Sequence, residues 1–231
     1  MRINKYLASC GFGSRRKVEA LVTSGAVFVN KKQMKDLAYQ VQEDDEILVG
    51  GQKAQVSDLK YFAVNKPVGY VSTVDDKFAD KKVVDLVDIQ GLYPVGRLDK
   101  ESEGLMILTN DGDFAQKMMH PSHEHEKEYL VEVAVSYQNH SAKLENALQY
   151  FKCGIKIGEK RSRPAQISLL GVEKGIAKFK IILKEGIKRQ IRITFEKAGL
   201  HVLKLQRVRM GKLKLGELES GDFIELTKMC L

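Results

Sequence analysis

Apolar positions recur along the chain with two spacings. Ile3 and Leu7 stand four apart, which predicts a short amphipathic helix over 2–9. Gly11-Phe12-Gly13 breaks it. Ser14 is placed to cap a second helix over 15–24, with Val18, Leu21 and Val22 on one face and Gly25 at its end. Val27 and Val29 alternate as a strand, Asn30-Lys31 turns, and 46–49 gives another strand after Asp44-Asp45. The polar stretch 50–58, with Gly50-Gly51, reads as a linker. Residues 61–64 form a strand that runs into the turn Asn65-Lys66-Pro67-Val68-Gly69, where Pro67 keeps Lys66 extended. The run 104–109 is apolar and stops at Asn110-Asp111-Gly112, the signature of a buried strand. A helix is expected over 113–119, an alternating strand over 129–133, a helix over 141–151, and strands over 154–158, 165–170 and 177–183. Ile187, Ile191 and Phe195 share one face of a helix over 188–198, which Gly199 closes. Residues 202–215 alternate in patches, and 218–227 completes the sheet. Many short strands with a few helices indicate an α+β chain.

Charge changes the picture. The net charge is +8, which favours a polyanionic partner. Over 1–35 the bases are Arg2, Lys5, Arg15, Arg16, Lys17, Lys31, Lys32 and Lys35, and the one acid is Glu19. They fall on a helix start and a strand turn, where they can form one phosphate-binding patch. A second dense stretch, 178–214, carries twelve Lys or Arg against Glu185 and Glu196. No apolar run reaches the ~18 residues of a spanning helix, and the first residues lack the apolar core of a signal peptide. Cys10, Cys153 and Cys230 are far apart, which fits reduced thiols in a cytoplasmic protein. His120, His123 and His125 are close, but their spacing is neither that of a zinc finger nor of a helical site, so no metal is expected.

The candidate chemistry lies in YPVGRLDKESEGLMILTNDG, residues 93–112. Asp99 follows Arg97 and Leu98 in a loop that feeds the buried strand, where a scaffold can hold a carboxylate still. Gly-Arg-Leu-Asp followed by Glu-Gly and an apolar strand ending in Thr-Asn-Asp-Gly resembles the signature of RNA pseudouridine synthases of the bacterial ribosomal RsuA/RluB/RluF type. Three further strings agree and come in the family's order: NKPVG with VST, HEKEYLV, and KEGIKRQIR followed by Leu205-Gln206-Arg207. Ile187 stands where the family often has a basic or polar residue. RxxKYL, GFGSRR and SGAVFVN over about the first 50 residues resemble the S4 RNA-binding domain.

The resemblance implies an S4 domain over 1–50, a linker over 51–59 and a catalytic domain over 60–231 with a mixed, largely antiparallel central sheet flanked by helices. It implies that Asp99 is the essential carboxylate, that Arg192 pairs with it, and that Tyr129 and Leu205 pack against the reacting base. Arg2, Lys5, Arg15, Arg16, Lys17, Lys31, Lys32, Lys66, Arg97, Lys188, Arg189 and Arg207 are the expected RNA contacts, with Arg97 a candidate to fill the gap left by a flipped nucleotide. An exposed lysine in a turn is an equal reading of Lys66, and a loop-bracing ion pair an equal reading of Arg97. The implied activity is an isomerisation of uridine in ribosomal RNA, free or in an assembly intermediate, by a monomer without cofactor. The large subunit is favoured over the small. The main rival is a non-catalytic S4-type assembly factor. A glycoside hydrolase using Asp99 with Glu101 or Glu103 is disfavoured by the charge sign and the absence of tryptophan.

Overall fold

The structure is a computed structural model that describes residues 1–74, 76, 79–120, 122, 124–136 and 140–227. His123 and Cys230 lie outside the described residues. The chain divides into two compact units. The first holds 1–60 with 89–93 and 109–112; the second holds 61–88, 94–108 and 113–231.

In the first unit, α1 (Ile3–Ser9) and α2 (Arg15–Thr23) precede β1 (Val27–Val29), β2 (Lys32–Met34), β3 (Ile47–Val49) and β4 (Gln52–Lys53). Ser14 caps α2 by accepting the Lys17 amide at 3.3 Å, as its position implied. Asn30 and Lys31 both take left-handed backbone, the two-residue turn that joins antiparallel strands without splaying them. The Asn30 side chain then ties the turn to the next strand, donating to Asp45 and accepting the Glu46 amide. Ile3, Leu7, Val18, Val22, Val27, Val29, Ile47 and Val49 form the core. The stretch expected as linker is partly structured: β4 pairs with β3, and Ala54 is buried in the same core. Its polar sequence hid an edge strand, which needs no apolar residues because it buries little.

The second unit is built on a sheet of nine strands among the described residues. Its order is β11 (Gln166–Glu173), β12 (Ile176–Leu183), β8 (Lys127–Ala134), β13 (His201–Met210), β7 (Glu103–Thr109), β5 (Tyr61–Lys66) and β15 (Phe223–Glu225). β6 (Tyr93–Val95) adds to β7, and β14 (Leu213–Lys214) to β13. β7 runs parallel to β13; the pairs β11–β12, β12–β8, β8–β13 and β5–β15 are antiparallel. The sheet is therefore mixed and mostly antiparallel. A separate hairpin joins β9 (Lys156–Ile157) and β10 (Lys160–Arg161).

Sequence pattern explains the layering. β12 alternates buried and solvent-facing residues, so one face of that side of the sheet meets water. From Gly104 onward every residue of β7 is buried, as is every residue of β5, so these strands are covered on both faces. Helices α3 (Gly112–Met119), α4 (His140–Cys153) and α5 (Gln190–Lys197) complete the unit. Phe195 of α5 meets Phe179 of β12 at 5.1 Å and Phe151 of α4 at 5.3 Å, which locks the two helices to the sheet.

Candidate active site

The loop that carries Asp99 is held at every residue from Leu98 to Ser102. Leu98 is buried, and its backbone is gripped twice by one side chain: Ser72 Oγ donates to the Leu98 carbonyl at 2.8 Å and accepts the Leu98 amide at 3.0 Å. The Asp99 carbonyl accepts the Ser102 amide at 3.0 Å, and the Lys100 carbonyl accepts the Gly69 amide at 2.8 Å. The Glu101 carbonyl accepts from the Arg192 guanidinium at 2.8 Å, and the same nitrogen lies 3.4 Å from Ser102 Oγ. The Asp99 side chain itself stays partly exposed and forms no ion pair among the described residues. A carboxylate on a clamped backbone, with its oxygens left available, is what a preorganised catalytic group requires.

Two residues expected on the RNA surface are instead buried structural cations. Lys66 has no exposed surface, and its ammonium donates to the carbonyls of Pro67 and Tyr70, both at 2.8 Å. It therefore shapes the turn whose Gly69 holds Lys100. The Lys66 pKa is lowered to about 8, chiefly by burial; Glu101, Glu103 and Asp99 oppose the shift, and Arg207 adds to it. Arg207 is 1 % exposed and donates from Nε to the Leu105 carbonyl at 2.7 Å. Its charge is felt by Tyr129, and its Nη2 is buried without a partner. Neither cation can reach a phosphate from these positions.

Strand register assembles the rest. Arg207 on β13 lies opposite Tyr129 on β8 and beside Gly104 on β7, so the three form one row across the sheet. Leu205 pairs with Val131, which makes Leu205 and Tyr129 diagonal neighbours on one face. Gly104 takes φ +108°, and a Cβ there would strike the Arg207 backbone carbonyl, so the close approach of β7 to β13 demands glycine. The Asp99 charge is felt at Lys66, and Tyr129 is felt at Arg207.

Arg192 is near Asp99 but does not pair with it directly. Its guanidinium spans the Glu101 and Val202 carbonyls and leaves Nε buried without a partner. Burial and Arg189 lower its pKa, while Glu101 and Asp99 raise it. The expected ion pair is thus replaced by a hold on the loop's backbone, with the charge still felt at the carboxylate. Arg189, the residue before α5, takes left-handed backbone at φ 56° and ion-pairs Glu101 at 3.0 Å. Arg97 and Lys188 are exposed, and Arg97 makes no ion pair among the described residues. Glu103 pairs with Lys204 at 3.0 Å. In the first unit, Arg2, Arg15, Arg16, Lys17, Lys31 and Lys32 are exposed, and Lys5 is half-buried. Among the described residues no group of His, Cys, Asp or Glu is arranged to hold a metal ion. Sequence reasoning missed Ser72 and Ser102 and named Glu101 only as half of a glycosidase pair; the VST string was its only pointer to Ser72.

The RNA pseudouridylate synthase family model matches residues 60–197, which contain the clamped loop, Tyr129 and Arg192. The chain belongs to the RNA pseudouridylate synthase family. An S4 domain matches residues 1–47 of this synthase. The synthase is 38% identical to ribosomal large subunit pseudouridine synthase B of Bacillus subtilis (strain 168), over 98% of this chain and 92% of that protein. It is 35% identical to the dual-specificity RNA pseudouridine synthase RluF of Escherichia coli (strain K12), over 98% of this chain and 76% of that one. A crystal structure of a pseudouridylate synthase superposes with a TM-score of 0.68 at 27% identity, covering 99% of this chain and 97% of the other. No helix among the described residues is long and apolar enough to cross a membrane.

Proposed function

We propose that the synthase isomerises a specific uridine of large-subunit ribosomal RNA to pseudouridine. The observation that carries the chemistry is the Asp99 loop, whose backbone is fixed from Leu98 to Ser102 while the carboxylate stays accessible. The reaction breaks the bond from ribose C1′ to uracil N1, turns the detached base and joins C1′ to C5. N1 gains a proton and C5 loses one, so there is no net redox change and no electron carrier is needed. Asp99 acts at the sugar, as nucleophile or as base. Tyr129 and Leu205, neighbours on one face of the sheet, pack on the extruded base. Arg192 supplies positive charge at the loop. Arg97, exposed beside Asp99, is suited to the gap left in the RNA.

The exposed bases of the S4 domain, on the first turn of α2 and on the β1–β2 turn, anchor the RNA through phosphates. The substrate is ribosomal RNA, free or in an assembly intermediate, met by a monomer in the cytoplasm. The large subunit is favoured by the name of the Bacillus subtilis relative. A glycosidase pair is disfavoured by the net charge of +8 and the absence of tryptophan. The test is to incubate the purified protein with large-subunit and small-subunit rRNA transcripts and map pseudouridine at each position. One new site in the large-subunit transcript supports the proposal. Modification of the small-subunit transcript alone, or of neither, refutes it.

A further inference from the structure

Glu101 is gripped twice by residues three apart at the start of α5. Arg192 takes its backbone carbonyl at 2.8 Å, and Arg189 takes its carboxylate at 3.0 Å. The two contacts differ in kind. In the first, a partly buried arginine holds a backbone carbonyl of the loop. The second lies in solvent, with both side chains substantially exposed, so water competes for it and it holds weakly. Arg189 also adopts left-handed backbone, φ 56°, which disfavours any side chain other than glycine or asparagine. Its guanidinium sits on Glu101, two residues along the chain from Asp99.

We propose that Arg189 is a phosphate subsite of the catalytic loop and that the Glu101 carboxylate is its occupant in the free protein. The proposal rests on the reading of RNA as the substrate. A carboxylate and a phosphate present the same planar pair of oxygens to an arginine fork. When the strand enters, a backbone phosphate next to the target nucleotide takes the guanidinium, and Glu101 turns out to water. The exchange costs little because the displaced pair is exposed. Arg192 keeps the loop in place throughout, since its bond is to the Glu101 carbonyl and not to the side chain. Glu101 therefore competes with the strand's phosphate for Arg189, and its displacement lowers the net affinity for RNA at that point.

The test is a double-mutant cycle on the full-length chain, with Glu101→Gln, Arg189→Gln and both together. Large-subunit rRNA transcript is the probe, and binding is followed as salt is raised. Glu101→Gln is expected to tighten binding by about threefold to fivefold at low salt, the scale of one exposed ion pair. Arg189→Gln is expected to weaken binding and to flatten the salt dependence by roughly one phosphate contact. In the Arg189→Gln background, the gain from Glu101→Gln should vanish. An equal gain in both backgrounds would mean only that a negative charge had left the surface, and would overturn the proposal. So would weaker binding by Glu101→Gln with an unchanged melting temperature. Pseudouridine formation by the unsubstituted protein is measured in parallel. Its absence sinks the functional reading, whereas normal turnover with an uncoupled cycle sinks only the phosphate subsite.

Discussion

Ser72→Ala tests the clamp directly, because one hydroxyl holds both backbone groups of Leu98 next to Asp99. Both residues are buried, so water does not freely replace what is lost. Each hydrogen bond contributes about 1 kcal/mol net, and each orphaned buried group costs about 1–3 kcal/mol. Partial relaxation toward the cleft lowers the sum, and a loss of about 2–4 kcal/mol is expected from the same range. Urea unfolding reads it as a lower midpoint at unchanged slope. The same change lets the carboxylate drift. A displacement near 1 Å costs on the order of 100-fold in rate, so kcat should fall by roughly tenfold to 100-fold while KM holds. Ser72→Thr keeps the hydroxyl and should recover part of both. A stability change under about 0.5 kcal/mol, the scale of a neutral surface substitution, together with unchanged kcat would refute the reasoning.

Other consequences are equally specific. Gly104→Ala drives a Cβ into the Arg207 carbonyl at φ +108°, so the variant should lose more than ~3 kcal/mol or fail to fold, read by yield and thermal melting. Lys66 releases its proton at about 8 in the folded chain and near 10.5 when unfolded, so between those values the unfolded state holds more protons and stability rises with pH. The stability of the native chain minus that of Lys66→Met should therefore rise from pH 8 to 10.5, as measured by urea unfolding; a fall would contradict the lowered pKa of Lys66. Replacing Arg15, Arg16 and Lys17 together by alanine should lower the slope of log affinity against log salt by about 2–3, and an unchanged slope would remove α2 from the RNA interface.

The helices of the first unit, the Ser14 cap and the buried strand β7 could be read from the sequence, because local pattern determines them. The NKPVG and VST strings pointed to the right segment, but the role of Lys66 was hidden. A lysine in a proline turn reads as exposed, and its burial at the end of β5 depends on packing that no local pattern shows. Arg207 was hidden for the same reason. Its neighbours Tyr129 and Gly104 are fixed by strand register, which no local pattern shows. For Arg192, sequence indicates a cation for the loop but not whether the guanidinium meets a side chain or a carbonyl. The edge strands β2 and β4 carry too few apolar residues to announce themselves.

Asp99→Asn keeps the shape of the residue and the clamp around it, and removes the charge. With large-subunit rRNA carrying tritium at uridine C5, the native chain should release tritium as C5 loses its hydrogen. The Asp99→Asn variant should bind the RNA and release none above background. Tritium release by that variant at a rate near the native one would contradict the assignment of the carboxylate.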